Sequence, residues 1–171
     1  MNTGTVPVLI VVSGADHLEE ALPFAAHPGD AGFDVCAASS VTLAPGQRAT
    51  IGTGISLALP HGYAAYVVPR SGLAARHGIT VLNAPGTIDA GYRGEVAVTL
   101  LNTDSTHEFS VAVGDRIAQI VLHPVHTPLF THVERLPGSA RGLGGHGSTG
   151  GFGASRSGSS TDDTSTHQRK E

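Results

Sequence analysis

Short apolar runs broken by glycine and proline constrain this chain more than any other feature. Residues 6–12, 33–37, 41–43, 48–53, 55–59, 63–68, 79–82, 95–101, 108–111, 116–123 and 129–133 are rich in Val, Ile, Leu and Thr. Turn signals such as Ala44-Pro45-Gly46, Gly54 and Pro60-His61-Gly62 separate them. Runs this short, at this spacing, predict an all-β sandwich, barrel or jelly roll rather than a βαβ sheet. The composition agrees: 23 Gly, 10 Pro, no Trp, and 14% charged residues, against roughly 25% in an ordinary globular chain. Residues 71–78 form the best helix candidate, about two turns long. Ser71 can cap its start and Gly78 can end it in left-handed geometry.

Composition also divides the chain. Residues 1–136 hold nearly all the Val, Ile and Leu and read as one β-rich domain. Residues 137–171 are rich in Gly and Ser and read as a flexible C-terminal arm, because such a segment buries too little to offset its ordering entropy. The net charge of −4 gives no broad basic surface for duplex nucleic acid, so no nucleic-acid partner is expected. No apolar run approaches the roughly 20 residues of a membrane span, and residues 6–12 lack the basic segment of a signal peptide. The single cysteine, Cys36, excludes an internal disulfide and fits a reducing, cytoplasmic setting. It reads as a small packed hydrophobe rather than a nucleophile. The pair His123 and His126 has no Cys or carboxylate to complete a zinc site.

Five stretches place polar residues beside glycines. The first is Asp30-Ala31-Gly32-Phe33-Asp34-Val35. The second, Pro69-Arg70-Ser71-Gly72-Leu73-Ala74, opens the short helix; free N–H groups at a helix start and an Arg fork suit an anion, although an ordinary cap with a surface Arg has the same pattern. The third begins at Asn83 and continues through Gly86-Thr87-Ile88-Asp89-Ala90-Gly91-Tyr92-Arg93-Gly94-Glu95. A carboxylate on a tight hairpin is placed by backbone and suits a general base holding a water, or simple turn chemistry. The fourth is Gly114-Asp115-Arg116-Ile117-Ala118-Gln119, where Asp115 and Arg116 read as a turn with its own ion pair and Gln119 as the odd amide in an apolar strand. The fifth, residues 141–150, lacks the Lys of a Walker loop, but its Arg141, Ser148, Thr149 and many N–H groups could close over a polyphosphate. A Gly/Ser linker would look the same.

In this order and at these spacings, the five stretches resemble the homotrimeric dUTP diphosphatases (dUTPases), from Asp30 to Gly150. The resemblance implies a jelly-roll-like (β-clip) barrel with one short helix and a C-terminal arm that crosses to another subunit. It implies three active sites at the interfaces of a homotrimer and Mg²⁺-dependent hydrolysis of dUTP to dUMP and diphosphate. Such a reaction limits uracil in DNA and supplies dUMP for dTTP synthesis. Residue by residue, Asp89 matches the carboxylate that activates the water attacking the α-phosphorus. Gln119 matches a phosphate-contacting amide of the catalytic set. Tyr92 matches the aromatic beneath deoxyribose, and Asn83 a uracil-pocket residue, with hairpin groups at Thr87 and Ile88 reading the uracil edge. Arg70, Ser71 and Gly72 match a phosphate-binding turn. Asp34 matches an acidic residue that touches Mg²⁺ through water, the ion being held mainly by the triphosphate. Arg141, His146, Gly147, Ser148 and Thr149 match the arm that covers the substrate.

One departure stands out. The arm commonly carries Phe where this chain has His146, whose ring stacks less extensively and whose charge varies near neutral pH. A dCTP deaminase-like enzyme of the same barrel, and a trimer that binds nucleotides without catalysis, are the competing expectations.

Overall fold

Alternating burial along the longest strands decides which face of each sheet meets the core. The structure, a computed structural model, describes residues 4–14 and 21–143. In chain order its elements are β1 (Leu9–Val12), β2 (Gly32–Cys36), β3 (Val41–Leu43), β4 (Arg48–Ala58) and β5 (Tyr63–Val68). Helix α1 (Ser71–His77) follows, then β6 (Ile79–Val81), β7 (Gly86–Ile88), β8 (Glu95–Asn102), β9 (Phe109–Val111) and β10 (Arg116–Pro124). In β8, Val96, Val98, Leu100 and Asn102 point inward and are buried, and their neighbours face out. The period of two is that of a strand with one wet face.

Two four-stranded sheets, in the orders β1-β4-β8-β6 and β2-β10-β5-β7, and a β3-β9 ribbon make up the unit Met1–Pro128. Every strand pairing is antiparallel. Ile51, Ile55, Val98 and Leu100 from the first sheet meet Val35, Val67, Ile117 and Ala118 from the second in one core, with Leu43 and Val111 from the ribbon. This is the expected jelly-roll-like barrel, with α1 its one named helix among the described residues. No helix among the described residues is long and apolar enough to cross a membrane.

Several local expectations are corrected. The runs 48–53 and 55–59 are one strand, β4, which bulges at Gly54 rather than turning there. The 86–88 stretch, read as part of a polar turn, is a strand paired with β5. Ser71 is the first helical residue and not the cap; Arg70, extended at φ −85° and ψ 123°, holds that position without a side-chain cap bond. Gly78 does end the helix left-handed at φ 64°. Residues 129–133 form no strand: within the unit Leu129–Glu171, Leu129 is 92% exposed and Phe130 90%. A strand needs a hydrogen-bonded neighbour, and none of the described strands pairs with this run.

The fully buried Asn102 shows how the loops are tied to the barrel. Its Nδ2 donates to the Leu43 carbonyl at 3.0 Å and to the His107 carbonyl at 2.9 Å, and its Oδ1 accepts the Asp104 N–H at 3.0 Å. One side chain thus joins β3, the end of β8 and the 103–108 loop. Asn102→Ala leaves these groups unmet inside the protein, each costing about 1–3 kcal/mol. We expect a loss of roughly 3 kcal/mol in urea denaturation; a loss below about 1 kcal/mol would refute this account.

Candidate active site

The hairpin between β7 and β8 builds one polar recess. Asn83, Thr87, Ile88, Asp89, Tyr92 and Glu95 line a cavity of about 210 Å³ together with Val67 and Val96. The turn is closed by the Tyr92 N–H donating to the Asp89 carbonyl at 3.0 Å. Arg93 Nη1 reinforces it by donating to the carbonyls of Ala90 at 2.7 Å and Tyr92 at 2.6 Å. Those bonds end on backbone carbonyls and leave the Asp89 carboxylate out. The Asp89 side chain is exposed and meets no hydrogen-bond donor or cation among the described residues. The turn therefore presents a bare carboxylate on a rigid base, and the alternative that Asp89 bonds its own backbone is not realised. Asn83 reaches the recess because Gly86 has no side chain: a β-carbon there would lie 3.3 Å from Asn83 Nδ2.

A second polar cluster lies where β2, β5 and β10 meet. Asp34 is 3% exposed. Its Oδ1 accepts Arg70 Nε at 3.1 Å and Gln119 Nε2 at 3.0 Å. Its Oδ2 accepts Arg116 Nη1 at 3.0 Å and Arg70 Nη2 at 3.5 Å. Arg70 is fixed further by Nη1 donating to the Arg116 carbonyl at 3.0 Å. The strand register explains the convergence. Gln119 stands opposite Asp34, and the β10 pairing shifts between Arg116 and Ala118. Ile117 and Ala118 are both buried, so this bulge turns Arg116 to the same face as Gln119. Arg116 also lies over the Phe24 ring, 5.8 Å from its centroid, a favourable cation–aromatic contact.

Asp34 was expected to touch Mg²⁺ through water; in this structure its carboxylate is engaged by protein donors. Each carboxylate oxygen already takes two protein donors, which fills its acceptor capacity. No group of three His, Cys, Asp or Glu that could hold a metal occurs among the described residues. Asp34 clamps Arg70 and Gln119. The expected Asp115–Arg116 pair is replaced: Asp115 Oδ2 accepts the Ala112 N–H at 2.8 Å, while Arg116 pairs with Asp34. Arg116 was the member of this cluster missed in the sequence, since only the bulge shows which way it points. Nearby, burial and then the Asp34 carboxylate push the Cys36 thiol above its usual range, as suits an inert packed side chain.

The remaining candidates are placed as follows. Ser71 and Gly72 open α1, where the first N–H groups have no partner within the helix. Arg141 lies in a turn closed by the Gly142 N–H donating to Ser139. His146, Gly147, Ser148 and Thr149 lie outside the described residues. Five candidates, Asn83, Thr87, Ile88, Asp89 and Tyr92, share the hairpin recess, and Asp34, Arg70 and Gln119 share the buried cluster.

The fold and these two sites define an antiparallel jelly-roll barrel that offers an anion-facing arginine cluster and a bare carboxylate. A family model described as dUTPase matches residues 19–150, and the chain belongs to that family. The deoxyuridine 5'-triphosphate nucleotidohydrolase of Leifsonia xyli subsp. xyli is 62% identical over 129 residues, covering 75% of this chain and 85% of that protein. Its counterpart from Thermobifida fusca is 62% identical over 133 residues, covering 78% and 74%. Among solved structures, a mutant dUTPase of Staphylococcus bacteriophage 80alpha with dUpNHpp superposes with a TM-score of 0.77 at 26% identity, over 85% of this chain and 99% of that one. A mutant dUTPase from phage phi11 of S. aureus, described with a structural Mg(II) ion, gives 0.67 at 25% identity, over 75% and 97%.

The buried cluster makes an unequal prediction for its two outer members. The Arg116 side chain is 45% exposed, and a pair screened by water is worth about 0–1 kcal/mol. Asp34 is buried, and its removal strands two guanidinium groups that face each other, at about 3 kcal/mol or more. In equilibrium denaturation, Asp34→Ala should be clearly less stable than Arg116→Ala; the reverse order would contradict the clamp.

Proposed function

We propose that this chain hydrolyses dUTP to dUMP and diphosphate as a homotrimer, with Asp89 as the general base. The observation that carries the reading is the bare Asp89 carboxylate on the lip of the recess, in a chain of the dUTPase family. A carboxylate with free lone pairs, held by a backbone turn, can orient a water and take its proton as that water attacks the α-phosphorus. Asn83 and the backbone at Thr87 and Ile88 line the recess in which a uracil edge would be read, and Tyr92 offers a flat face to the deoxyribose.

The phosphates of such a substrate need positive charge. Arg70 and Arg116 outweigh Asp34 by one charge, and Gln119, Ser71 and Gly72 add donors at the same end of β5 and β10. We assign phosphate binding to Arg70, Ser71, Gly72 and Gln119. Mg²⁺, when bound, neutralises the triphosphate, whose own oxygens and water hold it, since the described residues supply no cage. The recess and the cluster have no residue in common, which suits a site completed by other subunits of a trimer. The unit Met1–Pro128 serves as the barrel, and residues 137–171 serve as the arm, whose Arg141, His146, Gly147, Ser148 and Thr149 cover the bound nucleotide. The single cysteine accords with a cytoplasmic enzyme.

Pyrophosphate release from dUTP, UTP, dTTP and dCTP, with and without Mg²⁺, tests the reaction. Release from dUTP alone is expected, without ammonia from dCTP. Asp89→Asn should keep dUTP binding and lose about 10²–10⁴-fold in kcat; near-normal turnover in that variant would sink the assignment. Truncation after Ala140 should leave a folded barrel with severely reduced kcat/KM, and unchanged turnover would reduce the arm to a linker.

A further inference from the structure

The ring of Tyr92 rests in a cradle made by the next residues of its own hairpin. Its hydroxyl donates to the Glu95 carbonyl at 2.9 Å. Its ring lies over Gly94, where a β-carbon would stand 2.7 Å from Cζ and 3.0 Å from Cε2. The ring in this position and any side chain at residue 94 exclude each other. Gly94 does not have positive φ, so backbone freedom does not account for a glycine there. Room for the ring does.

The cradle is anchored in the neighbouring strand. Glu95 Oε1 accepts the Gly54 N–H at 2.8 Å. That N–H is available because β4 bulges between Gly52 and Ser56, with Gly54 at φ 71°. The Glu95 carboxylate lies flat on the strand, since Gly52 has no side chain: a β-carbon there would stand 3.2 Å from the carboxyl carbon. Thr53 Oγ1 completes the join by donating to the Val96 carbonyl at 2.6 Å. Glu95 is therefore fixed at both its side chain and its backbone, and its carbonyl fixes Tyr92.

We propose that Gly94 and Glu95 are positioning residues that set the Tyr92 ring and so determine how strongly the site prefers deoxyribose to ribose. The inference rests on the reading of Tyr92 as the sugar platform. A wall that can swing aside admits an added hydroxyl; a wall held at two points does not. A pocket without a polar partner rejects an added hydroxyl by only about 10²-fold, so a small displacement of the ring removes much of the preference.

The test is the ratio of kcat/KM for dUTP to that for UTP, measured with the full-length chain and Mg²⁺. Gly94→Ala should lower the ratio by about tenfold, through KM, with kcat for dUTP within about threefold of wild type because Asp89 is untouched. Tyr92→Phe keeps the ring and removes only its tether, and should lower the ratio severalfold. Glu95→Gln retains an acceptor for the Gly54 N–H and should keep the wild-type ratio, whereas Glu95→Ala should not. Tyr92→Ala is the reference. If it lowers the ratio and Gly94→Ala does not (or Tyr92→Phe does not, should Gly94→Ala fail to fold), the cradle is overturned and the platform stands. If Tyr92→Ala leaves the ratio unchanged, the platform reading itself falls and takes the cradle with it.

Discussion

A carboxylate that is 3% exposed must be met by donors or give up its charge, and Asp34 imposes this condition on three strands and a helix. Gln119 answers it from directly across the β2–β10 ladder. Arg116 answers it only because β10 carries one extra residue, which buries Ile117 and Ala118 together. Arg70 answers it from the cap position immediately before α1. The helix has seven residues and buries none of them, so neither length nor an apolar face would hold it alone. Arg70 and the left-handed stop at Gly78 place it. Desolvating such a group costs several kcal/mol, and the return is geometric: two guanidinium groups and an amide held at one end of the barrel, with one net positive charge.

Both strand irregularities of this barrel serve polar groups rather than the core. The β10 bulge aims Arg116 at Asp34. The β4 bulge exposes the Gly54 N–H to the Glu95 carboxylate, and its other face is closed by the Ser13 N–H donating to the Gly54 carbonyl at 2.7 Å. Regular ladders would have paired those backbone groups with each other and left the side chains to find water. Two sheets, each broken at one position, thus position the hairpin and the arginine cluster, at a cost of a few ladder bonds.

The strand pattern was legible because its signal is local. Short apolar runs bounded by Gly and Pro led to the all-β class, and Gly78 marked the helix end by itself. The order of the five polar stretches pointed to the family. What was hidden depends on register. Residues 86–88 carry two polar or small side chains and one Ile, and become a strand only because β5 lies beside them. Arg116 next to Asp115 suggests a local pair until the bulge is known. Gly94 resembles any turn glycine until the Tyr92 ring is seen over it. Asp34 gives no local sign in the sequence of the four donor contacts that it accepts.

The two aspartates divide the chemistry by their lone pairs. Asp34 has given all of its acceptor capacity to protein donors and has none left with which to take a proton from water. Asp89 has given none, since its turn is held by its own carbonyl and by Arg93 acting on Ala90 and Tyr92. Were Arg70 or Arg116 to pair with Asp89, the same clamp would form there and the base would be lost. On the proposed function, holding both guanidinium groups on a different carboxylate keeps the cations in place for phosphate and leaves the hairpin carboxylate open for water. In the proposed reaction, a nucleotide that spans both sites brings base and cations together without their having met beforehand.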